Sequence, residues 1–187
     1  MSRPGAWAYP DMLEVGRLKN FTESRSHYGA WAVMSSPLIL SFDLRVTTVL
    51  DAMWPIISNR DVLAVNQRWA GHPGTRLNYT GAVNGNVGNS SQTWAKPMGN
   101  SSYAVFFIST GPVPAEFSLP FASISTDWSA TDKVCFRDLY TKNETGPVDA
   151  TGALEATVAV HDSALYCVRP AVGGVCSSAG GCPSFPA

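Results

Sequence analysis

The arrangement of the whole chain follows from one stretch near its start, Gly5-Ala6-Trp7-Ala8-Tyr9-Pro10-Asp11-Met12-Leu13. Pro10 fixes its own φ and favours an extended conformation at Tyr9, so Asp11 is predicted to lie on a stiff turn. A carboxylate beside the thioether of Met12 suits a subsite for a sugar, because sugar hydroxyls can donate to the carboxylate. The alternative is a surface turn in which the aspartate caps a backbone N–H group.

Helical and strand patterns follow this turn in alternation. Residues 28–35 have the spacing of a helix that is apolar on two sides. Residues 38–42 (LILSF) form a continuous apolar run that is typical of a fully buried parallel strand. Helical spacing returns over residues 46–57 and again over residues 60–67. With the opening stretch as the first strand, this order predicts an α/β layer over residues 1–74.

The pattern changes from residue 75 onwards. Residues 80–93 are rich in Gly, Asn, Ser and Thr, which predicts a loop. Short runs that are apolar or alternate between apolar and polar residues then predict strands over residues 103–109, 117–121, 134–136, 154–161 and 164–168. Since no helical pattern separates them, residues 75–170 are predicted to form an antiparallel β-sandwich. Residues 171–187, rich in Gly, Ser and Pro, are predicted to be a flexible tail.

The composition excludes several classes of protein. The chain has 187 residues, of which 14% are charged, and a net charge of −1. This balance provides no basic surface for a nucleic acid or an anionic membrane. No window contains the roughly 18 consecutive apolar residues of a membrane-spanning helix, and the first residues lack the apolar segment of a signal peptide.

Two features nevertheless indicate a secreted or a vacuolar or lysosomal protein. Five sequons for N-glycosylation are present, at Asn20, Asn78, Asn89, Asn100 and Asn143. The four cysteines are Cys135, Cys167, Cys176 and Cys182. They match no metal-binding spacing and allow three disulfide pairings, and a Cys176–Cys182 bond would close a short loop in the tail. A secreted type of chain without a signal peptide suggests that its N-terminal part is missing.

The α/β part also looks incomplete on physical grounds. A sheet of two strands is marginal by itself, and an apolar parallel strand needs neighbours on both sides. Residues 1–70 are therefore predicted to be the end of a larger α/β domain. The alternative is that they pack directly on the sandwich, which could cover one face of the strand but not its edge.

Several motifs resemble, in the same order, the α-galactosidase (melibiase) family of retaining glycosidases. The first is Trp7-Ala8-Tyr9-Pro10-Asp11-Met12-Leu13-Glu14-Val15-Gly16, which is similar to W-x-D-P-D-M-L-x-x-G. Residues 28–45 resemble L-W-A-x-M-x-x-P-L-x-x-x-x-D-L-R, and residues 59–67 resemble N-x-x-V-I-A-V-N-Q. Trp94-Ala95-Lys96-Pro97 and residues 134–139 resemble parts of the family's C-terminal domain. One departure is Tyr9, which stands where the family has the first Asp of D-P-D.

The resemblance implies the last two βα units of a (β/α)8 TIM barrel followed by a C-terminal antiparallel β-sandwich. Asp11 and Met12 would follow the seventh strand, where the family's aspartate accepts hydrogen bonds from galactose and its methionine lines the sugar pocket. The substrate would be a terminal α-galactoside, hydrolysed without a cofactor or metal. The candidate assembly of the full-length enzyme is a homodimer. The resemblance does not distinguish specificity for galactose, N-acetylgalactosamine or arabinopyranose, because the loops that determine substrate specificity would lie upstream.

The catalytic pair of a retaining glycosidase is absent from the sequence. Such an enzyme needs two carboxyl groups about 5 Å apart, and in this family they follow the fourth and sixth strands. We therefore predict no catalytic residue in this chain and no activity for it alone. Asp43 is interpreted as a structural hydrogen-bond acceptor, and Glu14 as a charge in a loop.

Other candidates are explained by ordinary structure. The three histidines, His27, His72 and His161, are far apart and have no metal-ligand spacing. Four tryptophans, Trp54, Trp69, Trp94 and Trp128, could form a platform for a sugar, but core packing explains them better.

Three functions remain: the C-terminal part of an α-galactosidase, a non-catalytic protein that binds carbohydrate, or one half of a split barrel. The first is favoured, because it explains the sequons and the unprotected strand together.

Overall fold

The computed structural model describes residues 2–80 and 90–177, and within them helices precede strands. The helices are α1 (Phe21–Met34), α2 (Thr47–Ile57) and α3 (Arg60–Gln67). The strands are β1 (Thr75–Thr80), β2 (Ser91–Gly99), β3 (Ser102–Ser109), β4 (Ala115–Pro120), β5 (Lys133–Asp138), β6 (Glu144–Asp149), β7 (Ala153–Val158) and β8 (Ser163–Pro170), with a short 3-10 helix over Phe121–Ser123. None of the described helices is long and apolar enough to span a membrane.

The strands form two antiparallel sheets. Six of them make one sheet in the order β1-β2-β3-β8-β5-β6, and β4 pairs with β7 in a second sheet. Strands β1 and β6 are the two edges of the large sheet, and nearly all of their residues are exposed. The sandwich predicted for this half of the chain is thus present, with β1, β2 and β6 as additional strands.

The large sheet separates two hydrophobic cores, because successive side chains of a strand point to opposite faces. On β3, Ala104 and Phe106 face the helices, whereas Val105 and Phe107 face the β4–β7 sheet. The rings of Phe107 and Phe117 stack with centroids 4.7 Å apart. The β4–β7 sheet therefore covers one face of the large sheet, and helices cover the other.

Helix α1 is the element that packs most closely on the large sheet. It begins after Asn20, whose side chain accepts a hydrogen bond from the backbone N–H of Glu23, and it ends at Ser35 with φ 54°. A side chain at Gly29 would meet the Phe106 ring at 2.7 Å and the Tyr140 hydroxyl at 2.6 Å. Glycine at this position therefore allows the helix to approach β3, and α1 is buried on more than one side as predicted.

Helix α3 is joined to the turn after β5 by a polar cluster. Asn59 caps the helix by accepting from the backbone N–H groups of Asp61 and Val62, and its Nδ2 donates to the carbonyl of Leu139 at 2.9 Å. The buried carboxylate of Asp61 lies 3.0 Å from Lys142 Nζ. The end of the helical part thus packs directly on the sandwich.

The predicted buried strand over residues 38–42 is wrong in its extent. A single parallel bridge joins Leu13 to Leu40, and Ile39 is 62% exposed. The direction of pairing is parallel, as expected for two βα units. The segment is not buried because it has a strand neighbour on one side only among the described residues, and no layer covers its outer face. Helix α2 is similarly open, with Trp54 58% exposed.

The described part of the tail is attached to the large sheet. Cys135 of β5 forms a disulfide with Cys176, so the short Cys176–Cys182 loop does not form. The buried guanidinium of Arg169 pairs with Glu144, and its Nε donates to the carbonyl of Ser177 at 3.1 Å. The rest of the predicted flexible tail, residues 178–187, lies outside the described residues.

Candidate functional site

Asp11 lies on an exposed turn with part of its carboxylate available. Its Oδ1 accepts a hydrogen bond from the backbone N–H of Met12 at 2.8 Å. Within residues 2–80 and 90–177, its other oxygen has no hydrogen-bond partner. Met12 is also exposed. The turn therefore presents a carboxylate oxygen and a thioether to solvent, which are the two groups that the sequence assigned to a sugar subsite.

Two side chains hold the segment that follows this turn. His27 of α1 accepts from the backbone N–H of Glu14 at 2.9 Å, through Nε2. The hydroxyl of Ser41 donates to the carbonyl of Leu13 at 2.6 Å, beside the Leu13–Leu40 bridge. Sequence reasoning missed both residues, because a single sequence gives no signal for contacts across 13 and 28 positions.

The Asp11 turn lies just before the one parallel bridge among the described residues, in which Leu13 is joined to Leu40. Tyr9, at the departure from the family motif, is 58% exposed and makes no hydrogen bond in the described part of the chain. Trp7 instead contacts Trp69, edge to face, with centroids 5.3 Å apart. The chain is thus anchored at Trp7 before the turn and at Leu13 and Glu14 after it.

Asp43 and Glu14 have structural partners. The carboxylate of Asp43 accepts from the backbone N–H and the guanidinium of Arg45, and these hydrogen bonds hold the pKa of Asp43 below its usual value. Glu14 lies 3.7 Å from the guanidinium of Arg17. Both observations agree with the interpretation of these residues as structural or loop charges.

Asp11 and Asp43 are not joined to each other by a hydrogen bond in the described part of the chain. Asp11 accepts from the backbone N–H of Met12, whereas Asp43 accepts from the backbone N–H and the guanidinium of Arg45. A retaining mechanism needs about 5 Å between its carboxyl groups.

The fold brings two of the histidines to one groove and separates two of the tryptophans. His27 and His161 line one groove of about 320 Å³ between α1 and the end of β3. Trp94 packs in the core under the helices and Trp128 in the core under the β4–β7 sheet. Because these two tryptophans lie on opposite faces of the large sheet, they do not form a common sugar platform.

One group of possible metal ligands is present among the described residues. The ligand atoms of Cys135, Glu144 and Cys176 lie within 4.8 Å of one another. The two sulfurs are joined in a disulfide, so neither is available as a thiolate to bind a metal ion.

The sequon asparagines that the structure describes are all on the surface. Asn20 precedes α1, Asn78 lies in β1, Asn100 forms the β2–β3 turn, and Asn143 precedes β6. Asn89 lies outside the described residues. Each of the four is exposed, so none is prevented from carrying a glycan by burial.

We expect protonation of His27 to loosen the segment behind the Asp11 turn. Burial lowers the pKa of His27 below 6.5, so the folded chain binds fewer protons there than the unfolded chain. The stability that neutral His27 provides is complete above pH 6.5 and is lost as the pH falls through its folded pKa. A protonated ring cannot accept from Glu14 N–H, and its Nε2 would donate to the carbonyl of Met12, 3.3 Å away.

Amide hydrogen exchange measures this effect directly. The protection of the Glu14 N–H should decrease as the pH falls below 6.5, after correction for intrinsic exchange. His27→Phe should remove the pH dependence together with the protection, whereas replacing the exposed His72 with Gln should leave the profile unchanged. Protection at Glu14 that is independent of pH in the wild-type chain would contradict the role of His27.

Comparison with known proteins gives consistent matches over both parts of the chain. A family profile described as "Alpha galactosidase A" matches residues 1–68, and one described as "Alpha galactosidase C-terminal beta sandwich domain" matches residues 88–168. The sequence is 30% identical over 168 residues to Alpha-galactosidase 3 of Arabidopsis thaliana and 32% identical over 168 residues to an alpha-galactosidase of Oryza sativa. Each alignment covers 89% of this chain.

The same relationship appears in three dimensions. The alpha-galactosidase of Saccharomyces cerevisiae, solved with raffinose, superposes with a TM-score of 0.76 at 22% identity. The superposition covers 89% of this chain and 48% of the yeast chain. The chain spans 36% of the Arabidopsis protein and 37% of the rice protein. These matches confirm the predicted order, a final portion of a TIM-barrel domain followed by a β-sandwich.

Proposed function

Because this chain belongs to the α-galactosidase family, as the C-terminal part of such a protein, we propose that it contributes to the hydrolysis of terminal α-galactosides with retention of configuration. It supplies one wall of the galactose subsite and the β-sandwich on which the barrel rests. The observation that carries this proposal is the exposed Asp11 carboxylate on a turn held by His27 and Ser41.

Asp11 and Met12 have the chemistry that a galactose subsite requires. A carboxylate oxygen that keeps free lone pairs accepts charge-assisted hydrogen bonds from sugar hydroxyls. The flexible thioether of Met12 packs against the C–H face of the ring. The hydrogen bonds of His27 and Ser41 already order the backbone next to the turn, so less conformational entropy is lost when the sugar binds.

The reaction itself requires groups that these 187 residues do not provide. A nucleophile and an acid/base about 5 Å apart are needed. We place them on the first six βα units of the barrel, as the family resemblance implies. The exposed Ile39, next to Leu40, and the exposed Trp54 of α2 support this, because they leave apolar surface on which further barrel elements would pack.

The cellular setting is part of the same proposal. The Cys135–Cys176 disulfide and the exposed sequons support a route through an oxidising compartment in which glycans are added. The protein would then be secreted or vacuolar or lysosomal, and a homodimer is its proposed assembly.

We expect the 187-residue chain to bind galactose more weakly than 1 mM, which corresponds to a binding free energy less favourable than about −4 kcal/mol. Asp11 and Met12 provide one side of a subsite that is otherwise open to water, and their few contacts do not repay the entropy lost on binding. Isothermal titration calorimetry with galactose measures the affinity.

The control in this titration is Asp11→Asn, which keeps the shape of the turn and removes the charge. A submillimolar affinity that disappears in Asp11→Asn would contradict an incomplete subsite. It would favour a carbohydrate-binding protein that uses the Asp11 turn without catalysis.

A further inference from the structure

The two edges of the large sheet present unpaired backbone groups. β1 and β6 each have a strand neighbour on one side only among the described residues. In both strands every residue is exposed except one of intermediate burial, Tyr79 in β1 and Val148 in β6. An exposed edge can pair with a strand of another chain, so proteins usually protect it.

Each of these edges carries a glycosylation sequon. Asn78 lies within β1, and Thr80 of the same sequon ends the strand. Asn143 immediately precedes β6, and Thr145 of its sequon lies in that strand. The Oδ1 atom of Asn78 accepts from the backbone N–H of Tyr79 at 2.8 Å, whereas its amide nitrogen has no partner in the described part of the chain. That nitrogen is therefore free to be modified.

The two edges differ in their other protection. β6 contains Pro147, which lacks an N–H group and so cannot complete a ladder with a new strand. β1 contains no proline and a single charged residue, Arg76, next to a register shift between Arg76 and Asn78. Its Leu77 is 39% exposed. β1 therefore depends more than β6 on an added covalent group for protection against pairing with another strand.

We propose that Asn78 carries an N-linked glycan that shields the free edge of β1 from pairing with another chain, and that a glycan on Asn143 supplements Pro147 at β6. A bulky, hydrated oligosaccharide attached in the middle of a six-residue strand occupies the space that an incoming strand needs. The inference rests on the part of the proposed function that routes the chain through a glycosylating compartment, and it does not depend on catalysis.

The modification is a balanced group transfer. The amide nitrogen of Asn78 forms a bond to the anomeric carbon of an oligosaccharide carried on a lipid pyrophosphate. The bond between that carbon and the pyrophosphate breaks, the lipid pyrophosphate leaves, and the amide nitrogen loses one proton. The donor is the lipid-linked oligosaccharide of the secretory pathway, and no oxidant or reductant takes part.

The test is expression of the full chain behind a cleavable secretion signal in a eukaryotic host. Peptide mass spectrometry should find Asn78 glycosylated, and light scattering coupled to size exclusion gives the assembly state. Asn78→Gln removes the asparagine of the sequon, and Thr80→Val removes its threonine. Both variants should shift the protein towards larger species. Asn100→Asp removes a sequon at the β2–β3 turn, away from both edges, and should leave the size distribution of the wild type.

Glycosidase treatment of the folded wild-type protein tests the same point without any substitution, and it should cause the same association. An unmodified Asn78 would overturn the proposal. So would a glycan whose removal, by either variant or by enzyme, leaves the assembly state unchanged. A failure of the proposed function would instead appear as a lack of α-galactosidase activity in a protein that joins these residues to the first six βα units, with glycan occupancy unaffected.

Discussion

Replacing Lys96 with methionine is expected to lower the free energy of unfolding by about 2–3 kcal/mol. Lys96 lies on β2 under the helices and is 0% exposed. Its ammonium donates to the Ser35 hydroxyl at 2.7 Å and to the carbonyl of Val65, and it lies 3.5 and 3.4 Å from the carbonyls of Ala32 and Asn66. One amino group therefore serves the C-terminal ends of both α1 and α3, and below pH 7, where it is charged, the helix dipoles favour it.

Two opposing terms determine the size of this effect. Burial lowers the pKa of Lys96 to about 7, which means that removing the ammonium from water costs free energy. Methionine avoids that cost but cannot donate a hydrogen bond, so the hydroxyl of Ser35 and the carbonyls of Val65 and Asn66 each lose a donor. Each buried polar group left without a partner costs about 1–3 kcal/mol, and several such groups outweigh the relief.

Urea denaturation of the variant and of a matched control measures the difference. Lys133→Met changes the same residue type at an exposed ion pair with Asp149 on the sheet edge, where a loss below about 1 kcal/mol is expected. Equal losses for the two variants, or a gain for Lys96→Met, would contradict the account of Lys96 as the shared cap of α1 and α3.

The sequence predicted most of the interior strands but missed both edges of the large sheet and the interior strand β2, whose first residues were predicted as a loop. Strands β3 and β8 were recognised because they combine apolar content with burial on both faces of the large sheet. Strands β1 and β6 escaped prediction because both of their faces are exposed, so no apolar alternation is needed. Helix α3 was predicted over residues 60–67 and observed at Arg60–Gln67, where Asn59 provides a clear N-cap.

The apolar run at residues 38–42 is a case in which a strand was predicted to be buried and is not. Its apolar composition predicts a strand that is buried on both sides. Composition indicates only the environment that would suit a segment, and in this chain Ile39 is exposed. The contacts that hold the candidate site were not predictable either. His27 and Ser41 become visible only when the fold brings them to Glu14 and Leu13. The family motif identified the residues of the turn, and the structure identified what supports it.

The second large effect concerns activity: residues 1–187 by themselves should not hydrolyse an α-galactoside. Asp11 is the one carboxylate that the proposal places against the sugar, and the carboxylate of Asp43 is engaged by the guanidinium of Arg45. Without a nucleophile and an acid/base about 5 Å apart, no covalent glycosyl intermediate can form or be released. A longer reading frame that contains the same residues and both upstream carboxylates should be active.

The most direct measurement is a turnover assay of the purified 187-residue chain on a chromogenic α-galactoside, run beside the longer protein and a blank without protein. The account predicts turnover by the longer protein and a rate equal to the blank for the 187-residue chain. Turnover by the 187-residue chain that is abolished by Asp11→Asn or Asp43→Asn would contradict it, because these residues would then contain a complete catalytic pair.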